Sequence, residues 1–272
     1  MTPGLTAAAG FGGGDLRIKK AVKLNMVQGS MSLLEKFKLL ADLGYDGVEP
    51  GSPNDLDTDE LLSASEATGI EIHGVVDSEH WRSPFSAADP KVRAKGAAAL
   101  REAIADAKAY GASSVLVVPA VVRKDVNYKD AYERSQAEIA AILPEAAAAG
   151  IKLIFENVWN QFLLSPMEFA RYIDEFDSPW VGAYFDVGNI VKFGWPEHWI
   201  RILGRRVVKL DIKGWSRRQG FKAEIGDDDC GWDSVRAALR DIGYEGWATA
   251  EVRGGDRERL ADVKARMDRV LG

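Results

Sequence analysis

The chain has 272 residues, a formal net charge of −6, three histidines and one cysteine. Apolar residues at 46% and charged residues at 28% fit a globular chain with a sizeable core, either one large α/β barrel or two ordinary domains. The acidic balance argues against a nucleic-acid partner, the lone Cys230 rules out a disulfide framework or thiolate metal site, and no apolar run approaches the ~18 residues of a membrane span.

The opening "MTPGLTAAAGFGGGD" is rich in Ala and Gly and lacks the basic start and apolar middle of a secretory signal. Residues 1–17 are expected to be a flexible leader, or the remnant of a processed export signal, with the fold occupying 18–272. The default compartment is the cytoplasm. "AVKLNMV" (21–27) predicts a strand, and "SLLEKFKLLADLG" (32–44) a helix capped by Ser32 and ended by Gly44. Further strands are predicted at 45–50, 71–77, 114–121, 152–158, 181–189, 207–214 and 247–252. Helices are predicted between them at 58–68, 90–110, 128–149, 166–176, 196–203 and 232–242, with a last one at 256–270. Eight strand-then-helix units over about 250 residues predict a single-domain α/β fold, the (β/α)8 TIM barrel. An open doubly wound sheet usually carries a Gly-rich phosphate loop after its first strand, and "MVQGSMS" is none.

Alternate strand residues of a barrel face the helices and the lumen. In "VVKLDIKG" the apolar Val208, Leu210 and Ile212 fit the helix side, which turns Lys209, Asp211 and Lys213 inward. The same parity turns Glu156, Tyr184, Asp186, Thr249, Glu251 and Glu49 inward. Glu156, Asp186, Asp211 and Glu251 then lie at matching heights near the C-terminal ends of four successive strands, where barrels place active sites. Buried carboxylates need a counter-charge, and oxygen-only ligands suit one hard divalent cation, Mg²⁺ or Mn²⁺. Lys209 and Lys213 can offset the excess negative charge. The alternative is a set of buried structural ion pairs.

"IFENV", "YFDVGN", "KLDIKG" and "TAEV", in this order and spacing, resemble the sugar phosphate isomerase/epimerase family of xylose-isomerase-like barrels, from about Val22 to Val270. The resemblance implies a divalent ion, often Mn²⁺, held by Glu156, Asp186, the residue at 211 and Glu251. The family has histidine where this chain has Asp211, and often a histidine where it has Asn189. The resemblance further implies proton transfer next to a carbonyl through an enediolate, with Glu156 and Glu251 as acid/base pair and Arg217 and Lys213 on substrate oxygens. His73, His80 and Glu49 are further candidate substrate contacts. Trp81, Trp159, Trp195 and Trp215 follow strands, and at a barrel mouth their faces suit a sugar ring. The segment 215–231 is a candidate lid or oligomer contact. A sugar or glycoside is the expected substrate, and the chain is expected to be a homo-oligomer. A dehydratase or lyase on a keto-sugar, keto-inositol or 3-keto-glycoside is the second reading. A non-catalytic sugar binder is a third, while three histidines and the acidic charge disfavour a DNA-repair endonuclease on the same barrel.

Overall fold

A computed structural model describes residues 16–272. The strands are β1 (Ile18–Lys23), β2 (Gly47–Glu49), β3 (Gly51–Ser52), β4 (Glu71–Ile72), β5 (Val75–Asp77), β6 (Ser114–Val117), β7 (Lys152–Glu156), β8 (Val181–Asp186), β9 (Val207–Ile212) and β10 (Gly246–Ala250). The helices are α1 (Leu33–Asp42), α2 (Thr58–Thr68), α3 (Pro90–Ala109), α4 (Tyr128–Ala149), α5 (Pro166–Asp174), α6 (Val187–Ile190), α7 (Pro196–Leu203), α8 (Trp232–Asp241) and α9 (Arg257–Leu271).

All strand pairings are parallel, in the order β3-β5-β6-β7-β8-β9-β10-β1-β2-β4. β2 and β3 are two pieces of one stave, interrupted at Pro50, and β4 and β5 are two pieces of the next, interrupted at His73 and Gly74. Because β2 pairs with β4 and β3 with β5, the sheet closes on itself as eight staves, the expected barrel. The expected leader falls almost wholly outside the described residues. Leu16 packs against the core, and Arg17 pairs with Glu245.

Local chemistry explains the alternation. Ser32 and Glu35 form a reciprocal capping box at α1, and the side chains of Asp57, Asp89, Asn127, Ser165 and Asp256 cap later helices. Gly69 and Gly150 end α2 and α4 with φ of 74° and 75°, a left-handed conformation that other residues adopt at a cost. Strand parity then divides the core. Leu153 and Phe155 of β7 face the helices, where Phe155 meets Tyr172 edge-on at 5.5 Å. Ile154 faces the lumen and packs with Leu116 and Tyr184.

Two expectations need correction. The first strand ends at Lys23, and Leu24–Met26 form a tight helical turn rather than its continuation. Leu24, Met26 and Val27 are buried there, which produced the apolar run. In β9, Val208 faces the lumen instead of the helices. Ala183 pairs with Val207 but Tyr184 with Lys209, so Val208 is the extra residue of a β-bulge. Val207 takes the helix side, and Val208 packs on the Leu116–Ile154–Tyr184 cluster. After the bulge the parity is as expected, with Leu210 and Ile212 outward and Lys209 and Asp211 inward.

Phe155 is fully buried among aromatic rings. Phe155→Ala is expected to lower unfolding stability by about 3–5 kcal/mol in denaturant titration, against a change near zero for the exposed Lys129→Ala. A loss below about 1 kcal/mol would show that the helix-side core does not depend on this ring.

Candidate functional site

The lumen above Tyr184 gathers the acidic residues. One carboxylate oxygen from each of Glu156, Asp186, Asp211 and Glu251 lies within 4.8 Å of the others. Their heights are not equal along the strands. Asp186 and Asp211 are register partners, whereas Glu156 sits opposite Tyr184 and Asp211 sits opposite Thr249, two residues before Glu251. The tilt of the staves offsets the outer positions, and both outer positions carry the longer glutamate.

Each carboxylate has its own surroundings. Asp186 is fully buried, and its Oδ1 accepts from the Asn189 backbone N–H at 2.8 Å. Asn157 brackets its main chain, donating to Asp186 O at 2.9 Å and accepting from Asp186 N at 3.0 Å. The Asn189 amide donates to Asn157 O at 3.0 Å and sits 3.5 Å from Glu156 Oε1. Lys213 pairs with Asp186 Oδ2 at 2.7 Å and with Glu251 Oε2. Lys23, buried on β1, lies 2.6 Å from Glu49 Oε2 and 3.1 Å from Asp211 Oδ1. Asp186 Oδ2 and Asp211 Oδ1 thus each face an ammonium, while Asp211 Oδ2 is buried without a hydrogen bond. Leaving such an acceptor unmet is costly. Acceptor-only oxygens aimed at one point are what a hard divalent cation needs, so the donor set fits such an ion.

The electrostatics follow from crowding. Burial pushes the Glu156 carboxyl well above its ordinary value, and Glu251 and Asp211 push it further. Burial raises Asp211 as well, against the pull of Lys23, and raises Asp186 against the pull of Lys213. Glu251 also feels burial, but Lys213 and Lys23 outweigh it and hold its carboxyl below the usual range. Without a further cation the cluster therefore retains protons.

A buried polar layer lies beneath. The Tyr184 hydroxyl donates to Glu49 Oε2 at 3.0 Å or to Thr249 Oγ1 at 2.7 Å, and Thr249 Oγ1 is 3.2 Å from His73 Nε2. His73 stacks on Trp247 with ring centroids 4.3 Å apart, and burial holds its imidazole well below its ordinary pKa. Lys209 donates to His73 O at 2.6 Å and Ser114 Oγ at 2.7 Å, so it does not contact the four carboxylates as expected. Burial lowers its pKa to about 8. Lys23 takes the compensating place beside Asp211. Its inward parity follows from the helix-side Val22, yet the first strand was not read this way.

Above the cluster opens a cavity of about 450 Å³, within the range of small-molecule sites. Of the expected contacts, Glu156, Glu251, Lys213, His80 and Trp159 line it. Trp81 and Phe221 add aromatic walls. Glu49 and His73 are buried in the layer below. Arg217 is exposed and outside the lining; its guanidinium donates to Val191 O at 3.2 Å. Trp215 is buried behind Trp159, and Trp195 lies on the surface outside the cavity. The segment 215–231 supplies Phe221 and is tied to α9 by Arg259–Glu224 at 2.8 Å and Arg266–Asp227 at 2.6 Å. His80 Nδ1 accepts from the Val118 N–H at 3.4 Å, which leaves the ring proton on Nε2.

A family model described as a xylose isomerase-like TIM barrel matches residues 37–270. The L-ribulose-5-phosphate 3-epimerase UlaE of Salmonella paratyphi C (strain RKS4594) is 26% identical over 259 residues, covering 86% of this chain and 89% of its own. Among solved structures, the D-psicose 3-epimerase of Clostridium cellulolyticum H10 superposes with a TM-score of 0.79 at 18% identity, over 93% of this chain and 99% of its own. The 3-keto-D-glucoside 4-epimerase YcjR of E. coli gives 0.77 at 14% identity, over 93% and 99%. At these identities the structural likenesses show the fold.

Burial lowers the His80 pKa from 6.5 to about 4. A group depressed in the folded state adds stability above its unfolded pKa, and that stability is lost as pH falls from about 6.5 to about 4. His80→Gln is therefore expected to flatten the pH dependence of unfolding stability in this window, measured by denaturant titration. An unchanged slope would mean that His80 is not held neutral by its burial.

Proposed function

Because the chain belongs to the xylose isomerase-like TIM barrel family, we propose that it is a metal-dependent sugar isomerase or epimerase. The observation that carries this reading is the convergence of four carboxylates, with one oxygen of each within 4.8 Å of the others. Glu156, Asp186, Asp211 and Glu251 would hold one divalent cation, Mn²⁺ or Mg²⁺. When bound, the ion supplies a Lewis acid that polarises a sugar carbonyl and the neighbouring hydroxyl.

The protein's own groups do the rest. Glu251, kept ionised by Lys213, removes the proton next to the carbonyl, and Glu156 delivers a proton from the other side. The two glutamates come from staves separated by β8 and β9, so they flank a substrate lying over the aspartates. Lys213 and the Nε2 proton of His80 hold substrate oxygens. Trp159, Trp81 and Phe221 pack against the apolar face of the ring. Glu49 and His73 act from the layer beneath, holding Lys23 and Thr249. The relative's name supports a ketose as substrate class.

A second reading is a lyase on a 3-keto-glycoside, which starts with the same proton removal and then expels the substituent. The aromatic walls beyond the acidic cluster favour it, because they suit a second apolar group.

Incubation in deuterated water with a panel of free ketoses, ketose phosphates and 3-keto-glycosides tests the reading. The expected result is deuterium at the carbon next to the carbonyl in a product epimer or isomer. Release of an aglycone or loss of water would select the second reading. Glu156→Gln and Glu251→Gln are each expected to cut turnover by about 100- to 10,000-fold with the fold intact. Near-wild-type rates in either variant would contradict the two-glutamate mechanism.

A further inference from the structure

Lys23 reaches the acidic cluster from β1, the strand beside β10. Its side chain is 7% exposed, and its ammonium sits over the Tyr184 ring at 4.7 Å, 2.6 Å from Glu49 and 3.1 Å from Asp211. Among the described residues, Lys23 is the sole salt-bridge partner of Asp211. Lys213, the other lysine at the cluster, pairs with Asp186 and Glu251 instead. A buried ammonium needs carboxylate partners, and a buried carboxylate needs a cation. Asp211 therefore depends on Lys23 for its ion pair, while Lys23 is shared with Glu49.

We propose that Lys23 is a positioning residue that sets the charge of the metal site by offsetting part of the negative charge of Asp211. This rests on the metal reading above. In their ionised forms the four carboxylates carry four negative charges. Lys213 offsets Asp186 and Glu251, and Lys23, shared between Glu49 and Asp211, offsets part of the rest, so net negative charge remains for a divalent cation. Lys23 also repels any cation placed among the carboxylates, so it holds the affinity below what the bare acidic set would give. A purely structural lysine, packed under Tyr184 and Glu49, would leave cation affinity alone.

The test uses the full chain, stripped of metal, with Mn²⁺ affinity read by titration calorimetry and thermal midpoints read with and without Mn²⁺. Lys23→Gln keeps a donor and removes the charge. It is expected to bind Mn²⁺ about tenfold tighter or more, while the metal-free variant melts lower and gains more on Mn²⁺ addition than wild type. Asp211→Asn alone leaves Lys23 paired only with Glu49 and its charge unopposed at the cluster, and is expected to weaken Mn²⁺ binding by about tenfold or more. Lys23→Gln with Asp211→Asn removes the pair as a unit and is expected to return the affinity to within about threefold of wild type. Unchanged or weaker Mn²⁺ binding in Lys23→Gln, with only a lowered melting point, would overturn the proposal while leaving the metal reading intact. If Lys23→Gln does not fold, an affinity no higher in the double variant than in Asp211→Asn would overturn it equally. A wild-type chain that binds neither Mn²⁺ nor Mg²⁺ would overturn both.

Discussion

Four carboxylate oxygens within 4.8 Å of one another cannot all carry charge in a buried lumen without opposing charge close by. The rest of the site answers that constraint. Lys213 spans Asp186 and Glu251, Lys23 joins Asp211 to Glu49, and Asn189 and Asn157 fix the Asp186 segment through its main chain. Two lysines against these four carboxylates and Glu49 fall short of neutrality, and Asp211 Oδ2 stays without a hydrogen bond. A divalent cation supplies opposing charge and coordinates carboxylate oxygens at once.

The barrel makes this crowding achievable. Parallel strands bring their C-terminal ends to one rim, so consecutive staves deliver side chains to one point from residues far apart in sequence. Aspartates serve at the register-matched centre and glutamates at the offset flanks. The bulge at Val208 belongs to the same geometry. Without the extra residue, the parity of β9 would place either the lower apolar contact or Asp211 on the wrong side. Beneath the cluster, Tyr184, Thr249, His73 and Lys209 form a buried hydrogen-bonded layer, and Tyr184 packs on Leu116 and Ile154.

Much of this could be read from the chain alone, and the failures have physical causes. Alternation of apolar and polar residues is local, so the inward placement of Glu156, Asp186 and Asp211 and the eight strand–helix units were legible. A bulge breaks alternation without a sequence mark, which is why Val208 was placed on the helix side. Counter-charge is a property of space rather than sequence. Lys209 shares the inward row of Asp211 yet bonds His73 and Ser114, while Lys23, from the first strand, sits at the aspartate. Loops are harder still: Arg217 was placed by the family resemblance and the tryptophans by their position after strands, and only contacts across loops decide which of them line the cavity.

The claim that the acidic cluster is a divalent-cation site is tested most directly by metal content. The purified full chain, stripped with chelator and titrated with Mn²⁺, should take up one equivalent per chain, and its melting temperature should rise on loading. No uptake and no stabilisation by Mn²⁺ or Mg²⁺ would contradict it and leave the four carboxylates as a structural network of buried ion pairs.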